Sequence, residues 1–365
     1  MRNPLETLSI SGFRSIRELR DFPMRQLNVL VGANGAGKSN LVEFFRMLAA
    51  MFQENLQGFV SQSGGGDGQF FEGPQTTREI TATLMFGANG FQFQLEPVPG
   101  NDLVVGKVGA FYTGDGWKTS WSHSREAPVG AWLRQKSYFG RGLSFRGHIH
   151  EAVSSWVVYH FHDTGTFAPM RRDGAIEDLQ ELRPNAANLA AFLRGLREQH
   201  PERYQRIRET VQIIAPFFDD FLLSPRKKGD EEHVRLDWRQ KGSTFPFQPW
   251  HLSDGTIRFV ALVTALLQPR PPSTLVVDEP ELGLHPAALR VLAALMHEAS
   301  VATQLVVSTQ SPLLVDHFDA DDVVVVRRSG AESLFERQSA ADLERWLEQY
   351  TLGELMQKNV VETGP

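Results

Sequence analysis

An apolar run, Leu27 to Val31, leads without a break into Gly32-Ala33-Asn34-Gly35-Ala36-Gly37-Lys38-Ser39. Every fixed position of the strand, glycine-rich loop and helix pattern that wraps a phosphate chain is filled, so the run predicts a P-loop on a parallel α/β scaffold. Small residues across Asn34, Gly35, Ala36 and Gly37 let backbone N–H groups curl around phosphates. Lys38 reaches the β- and γ-phosphates, and the Ser39 hydroxyl ligates Mg²⁺. Asn40 follows in the first turn of a helix expected over 38–51, whose positive end points at the same anion. The plain alternative, a glycine-rich turn that only links strand to helix, does not require this complete match.

Bulk properties bound the rest. A chain of 365 residues, 41% hydrophobic, can bury a substantial core, and its length predicts two domains or one domain with an insertion. No stretch reaches the roughly 18 apolar residues of a membrane span, and Met1-Arg2-Asn3-Pro4 lacks the apolar core of a signal peptide. The absence of cysteine removes disulfides, thiolate zinc sites and thiol nucleophiles, and fits a cytoplasmic protein. A net charge of −6 argues against a strongly basic nucleic-acid coat while leaving room for a local basic groove.

Along the chain, strands are expected at 5–10, 16–20 and 27–31. Residues 61–68, rich in glycine, read as a surface connection. Between 79 and 122, alternating apolar segments separated by Gly, Asn, Pro and Asp predict an antiparallel meander. Helices are expected over 186–198 and 201–214, the second opened by Pro201. Strand-like segments return at 221–223 and 234–238.

A second cluster opens at His251-Leu252-Ser253-Asp254-Gly255-Thr256, ahead of an apolar helical segment, 257–267. A Ser-x-Gly turn at a helix N-terminus is another place for an anion. Thr274-Leu275-Val276-Val277-Asp278-Glu279-Pro280 is an apolar strand ending in two carboxylates, a Walker B pattern. There Asp278 would hold Mg²⁺ and Glu279 could take a proton from the attacking water. A turn at 281–286 leads to a helix over 287–299, and the buried strand 305–307 ends in Ser308-Thr309-Gln310-Ser311-Pro312. Ligands of open α/β sheets sit at the carboxyl ends of the strands, so these three strand ends are expected to converge.

P-loop, Leu-Ser-Asp-Gly-Thr, Asp-Glu-Pro-Glu-Leu-Gly-Leu-His-Pro and Ser-Thr-Gln-Ser-Pro, in that order, resemble an ABC-type ATPase of the soluble RecF/SMC-like group. Within it, the chain is similar to ATPases related to the ATPase half of overcoming-lysogenization-defect (OLD) nucleases. The resemblance covers roughly residues 1–50 and 250–360. It implies an α/β P-loop NTPase, an ABC-ATPase-like head with a mixed β-sheet, an N-terminal antiparallel β-meander and an inserted helical lobe. The head would comprise 1–165 and 245–365, with a tail helix over 341–357 docked on it, and the lobe 166–244. The opening Ser11-Gly12-Phe13-Arg14-Ser15-Ile16 is similar to a segment common in the group and implies a nucleotide contact for Arg14. The resemblance also implies ATP and Mg²⁺ as cofactors and a homodimer, in which Ser253 and Gly255 meet the γ-phosphate held by the other copy. Gln310 stands where the group usually has the switch histidine. It can hydrogen-bond the γ-phosphate without a charged ring, which puts turnover rather than binding in question. The Q-loop glutamine is not evident; His162 or Asp163 stands near its position.

Other features read as ordinary structure. His148, His150, His160 and His162 are taken as a polar strand face, because no carboxylate pair or cysteine completes a ligand set of known spacing. The arginines from Arg171 to Arg208 alternate with acids and read as a solvated helical surface, and Arg226-Lys227-Lys228 against Asp230-Glu231-Glu232 as an exposed hairpin tip.

The sequence therefore points to an ATP-dependent dimerising switch, placed by analogy in DNA repair or antiphage defence with a partner effector. An ATP sensor with little turnover that restrains a toxin or nuclease is a second reading. A transporter subunit is a third, weakened by the large insertion and the missing Q-loop segment. No nuclease constellation is evident in this chain, so cutting is expected from a partner.

Overall fold

The computed structural model describes residues 4–114, 118–122, 129–134 and 145–358, so the Met1-Arg2-Asn3 terminus lies outside the described residues. The chain divides into two compact units, Met1–Val158 with Pro272–Val276 and Thr303–Pro365, and Tyr159–Pro271 with Val277–Ala302.

Two sheets build the first unit. One is antiparallel, in the order Ile16–Pro23, Thr7–Phe13, Ile80–Phe86, Asn89–Val98, Asp102–Tyr112 and Lys118–Ser122. The meander read from the sequence is thus present, and the N-terminal hairpin extends it. Ile80–Phe86 buries alternate residues, as a strand with one face on a core must.

The second sheet runs Glu332–Arg337, Val323–Ser329, Leu27–Val31, Gln304–Thr309, Thr274–Asp278, Val157–Tyr159. The first unit includes its last two strands as far as Val276 and Val158. Leu27–Val31 pairs in parallel with Gln304–Thr309 on one side and Val323–Ser329 on the other, while Glu332–Arg337 closes the edge antiparallel, so the sheet is mixed. All five residues of Leu27–Val31 are buried, as expected of a parallel strand covered on both faces.

The helix Lys38–Phe52 is anchored by aromatic side chains. Phe44 meets Phe13 edge-on at 5.5 Å and stacks on Phe93 of the meander at 6.3 Å, and Phe45 meets Trp156 at 5.3 Å. Each fully buried ring stabilises the fold by about 1.5–3 kcal/mol, so the P-loop helix is fixed to the antiparallel sheet.

Two expectations change in this unit. The tail over 341–357 is two helices, Ala340–Leu347 and Leu352–Gln357. Thr351 and Glu354 form a capping box that starts the second one afresh. The Gly353 N–H donates to Asp316 Oδ1 at 2.6 Å, which seats this helix beside Pro312–Val315. His148 and His150 lie in the helix Phe145–Ser154, not on a strand. At that spacing helical side chains do not share a face.

The second unit holds the helices Leu189–Gln199, Pro201–Ile214, Asp254–Leu267 and Pro286–Ser300. It also has two small antiparallel sheets. One joins Phe218–Leu222, Asp237–Gln240 and Pro246–Phe247, and the other Arg226–Lys228, Glu231–Val234 and Gly174–Ala175. The hairpin at 226–232 forms as read. The first helix begins three residues later than its composition suggests, because Asn188 uses its side chain to hold the preceding loop. Its Oδ1 accepts from Arg183 N, and its Nδ2 donates to the Asp178 and Glu181 carbonyls. Several arginines of the 171–208 stretch are paired with acids, Arg183 with Asp178, Arg194 with Glu198, Arg206 with Glu298 and Arg208 with Asp220. Arg171 also meets an acid, Asp254, but unlike these it is buried.

Candidate functional site

The P-loop lies in the first unit and is shaped by backbone crowding. A Cβ on Gly32 would stand 2.1 Å from the Val326 carbonyl oxygen, so only glycine lets the chain leave Leu27–Val31 beside its parallel neighbour. Gly35 and Gly37 have φ of 81° and 109°, the left-handed region that side chains disfavour. A Cβ on Gly37 would also meet Ser333 Oγ at 2.0 Å.

Lys38 is buried, and its Nζ donates to the Gly32 and Ala33 carbonyls at 2.7 and 3.1 Å, so the ammonium is curled into the loop. Ser39 is exposed at the first helical turn. The helix Lys38–Phe52 begins with no side-chain cap and no acidic residue in its first turn. The helices starting after Ser253, His285, Ser311, Ser339 and Thr351 each carry a side-chain cap, whereas Leu56–Gln62, Leu189–Gln199 and Pro201–Ile214 have none. An uncapped, electropositive helix end lined by glycines fits the phosphates of a nucleotide.

Gln310 emerges beside this loop. Thr309 pairs with Val31 in the parallel ladder, so the two strands end side by side. The turn at Gln310 is set by Thr309 Oγ1, which accepts from Ser311 N at 3.0 Å, and by Ser311 Oγ, which caps Pro312–Val315.

Arg14 sits in the two-residue turn between Thr7–Phe13 and Ile16–Pro23, with a φ of 47°. Its Nε donates to Gln69 Oε1 at 2.9 Å, and its Nη2 lies 3.4 Å from Glu43 Oε2. Burial pulls the guanidinium below its usual pKa, with Glu43 opposing the shift. Arg14 therefore braces the P-loop helix through Glu43.

The second unit carries the Walker B carboxylates and the signature. Thr274–Asp278 ends in Asp278, which is nearly buried, and Glu279 follows with a φ of 45°. A non-glycine residue in that region costs about 1–3 kcal/mol and tends to persist where function holds it. Ser253 caps Asp254–Leu267, accepting from Thr256 N at 3.2 Å. A Cβ on Gly255 would stand 2.1 Å from the Gly283 carbonyl oxygen, so the signature turn and the turn after Glu279 pack backbone to backbone.

Two buried arginines that sequence reasoning did not single out hold these turns. Arg171 donates to the carbonyls of Thr164, Pro249 and Leu252, and its Nη2 meets Asp254 Oδ1 at 2.8 Å. Arg258 Nε donates to the Phe161 carbonyl at 2.9 Å, Nη2 to that of His162 at 3.1 Å, and Nη1 to that of Leu282. Burial lowers the Arg258 pKa, opposed by Asp254. Arg258 could have been noticed as the lone charge in the apolar segment 257–267; nothing in the sequence marks Arg171. His162 Nε2 lies 3.0 Å from the Asp278 carbonyl oxygen, which sets His162 against the Walker B strand end.

Comparisons with known proteins agree with this architecture. Over 88% of its length the chain is 23% identical to the OLD nuclease of Thermus scotoductus, and it spans 63% of that relative. Among solved structures, an Smc head bound to the C-winged helix domain of ScpA is similar with a TM-score of 0.56 at 14% identity. That match covers 94% of this chain and 99% of the other. The Smc head with an extended coiled coil from Pyrococcus furiosus, bound to the C-terminal domain of ScpA, gives 0.53 at 15% identity over 95% and 99%. The fold is that of an ABC-type, SMC-like ATPase head. A family profile matches residues 27–98 and 130–316, more than half of the chain, and the protein thus belongs to the family described as "AAA domain, putative AbiEii toxin, Type IV TA system".

Proposed function

We propose that this chain binds and hydrolyses ATP with Mg²⁺ as a dimerising switch. The uncapped P-loop helix, with Gly35 and Gly37 in the left-handed region and Lys38 curled against the loop, is the observation that carries the reading. Asn34 to Asn40 would cradle the phosphates, Lys38 would neutralise them, and Ser39 and Asp278 would each offer an oxygen to Mg²⁺, which supplies charge stabilisation when bound. Glu279 would accept the proton of the attacking water, Gln310 would hydrogen-bond the γ-phosphate, and Arg14 would act on the nucleotide through the P-loop helix. Ser253 and Gly255 would close over the nucleotide of a second copy. Residues 166–244 would form the lobe that passes on the motion, and a separate effector would act in DNA repair or antiphage defence; the similarity to an OLD nuclease supports that setting.

The test is the mass of the Glu279→Gln protein in solution with and without ATP and Mg²⁺. An ATP-dependent dimer is expected, and a monomer under both conditions defeats the switch. Gln310 favours one alternative, a sensor with little turnover. In that case phosphate release is negligible both before and after Glu279→Gln.

A further inference from the structure

We propose that His160, His162 and the Asp278 carboxylate form a binding site for a divalent transition-metal ion of the zinc type. The two imidazoles follow the strand Val157–Tyr159, and their ring centroids are 4.0 Å apart. One ligand atom from each ring and one carboxylate oxygen of Asp278 all lie within 4.8 Å of one another. Around a tetrahedral zinc with bonds of about 2.1 Å, ligand atoms stand roughly 3.4 Å apart, so closing the set needs side-chain movement of only about 1 Å.

The surroundings prepare this set. A carbonyl oxygen only accepts, so the 3.0 Å contact to the Asp278 carbonyl places the His162 proton on Nε2 and leaves the lone pair on Nδ1 for a ligand. The backbone beneath is clamped by buried Arg258 through the carbonyls of Phe161 and His162. Two nitrogens and one oxygen suit zinc and its neighbours, whereas Mg²⁺ prefers oxygens alone. Three protein ligands leave a fourth position for water. The sequence lacked a carboxylate at a recognisable spacing because Asp278 lies 116 residues from His162.

The site shares Asp278 with the proposed ATP chemistry but does not rest on it, since its test contains no nucleotide. The full chain is titrated with Zn²⁺ against a chromophoric chelator in millimolar Mg²⁺, and with Co²⁺ read by visible absorption. One Zn²⁺ per chain is expected at micromolar affinity or tighter. His160→Ala/His162→Ala should weaken it at least roughly tenfold and abolish the Co²⁺ band, while His148→Ala/His150→Ala should leave both unchanged. Should the double variant fold poorly, His160→Ala alone keeps the His162 contact and should still weaken Zn²⁺ and alter the Co²⁺ band. Zn²⁺ binding that is only millimolar, or equal in all variants, overturns the proposal. ATP binding can stand or fall independently.

Discussion

The hydroxyls of Ser15 and Ser333 meet at 2.7 Å behind the P-loop although 318 residues separate them. Ser333 spends its proton on the Ala36 carbonyl at 2.6 Å, so Ser15 is the donor in the pair. Ser15 in turn accepts from Asn40 Nδ2 at 2.5 Å. The chain from Asn40 to Ser15, Ser333 and Ala36 ties two hairpins to the centre of the loop and to its helix. Ser333→Ala leaves the Ala36 carbonyl unsatisfied and should destabilise the fold by about 1–3 kcal/mol. Chemical denaturation measures the loss, and an unchanged midpoint would show that the loop is held by other contacts.

Gly37→Ala strains a φ of 109° and drives a methyl into Ser333. Nucleotide affinity, measured by fluorescent-analogue titration, should fall roughly tenfold or more. Adding Ser333→Gly removes the contact with Ser333 but leaves Ser15 Oγ at 2.8 Å and the backbone strain, so recovery should be partial.

Glu279 joins a proposed chemical role to a left-handed backbone, and two substitutions separate them. Glu279→Gln should keep ATP binding and lose phosphate release. Glu279→Gly should lose it too, yet raise thermal stability relative to Glu279→Ala by about 1 kcal/mol, because glycine accepts the φ of 45° without strain. Equal stability of the two would argue that this backbone is not strained.

Gly255→Ala pushes the signature turn away from the Gly283 carbonyl. Under the proposed mechanism a single copy should still bind ATP, while ATP-dependent dimerisation in the Glu279→Gln background is lost. Retained dimerisation would place the interface elsewhere.

The Arg171–Asp254 pair is unequal: Arg171 is 4% exposed and Asp254 64%. Removing Arg171 leaves backbone carbonyls without donors, whereas removing Asp254 costs a solvent-screened partner. Arg171→Met should destabilise by about 3 kcal/mol and Asp254→Asn by less than about 1 kcal/mol. Arg206 and Glu298 form an exposed pair in which the Arg206 hydrogen bond depresses the Glu298 pKa. Depression means that its small stabilisation is present above the ordinary carboxylate pKa and fades as the pH falls through the lowered one. The difference between wild type and Glu298→Gln should therefore vanish in acid.

The elements whose order lies in local pattern were legible in the sequence. Leu27–Val31, the P-loop helix, the meander and the helices over 201–214 and 257–267 follow from strand or helix period and from punctuation by Gly and Pro. The tail break at Thr351 had a signal, the spacing to Glu354, that the leucine period masked. The placement of His148 and His150 on a helix did not follow from an alternation of two residues.

By itself the sequence picked out the residues proposed to handle a triphosphate, because the P-loop, the signature and the Asp278-Glu279 pair are short-range patterns dictated by backbone geometry. Only the tertiary structure decided what supports them. Ser333 behind Ala36, Arg171 beneath Leu252 and Asp278 beside His160 and His162 are contacts between distant segments. Such contacts depend on sheet register and on buried donors finding carbonyls, quantities that no local spacing encodes.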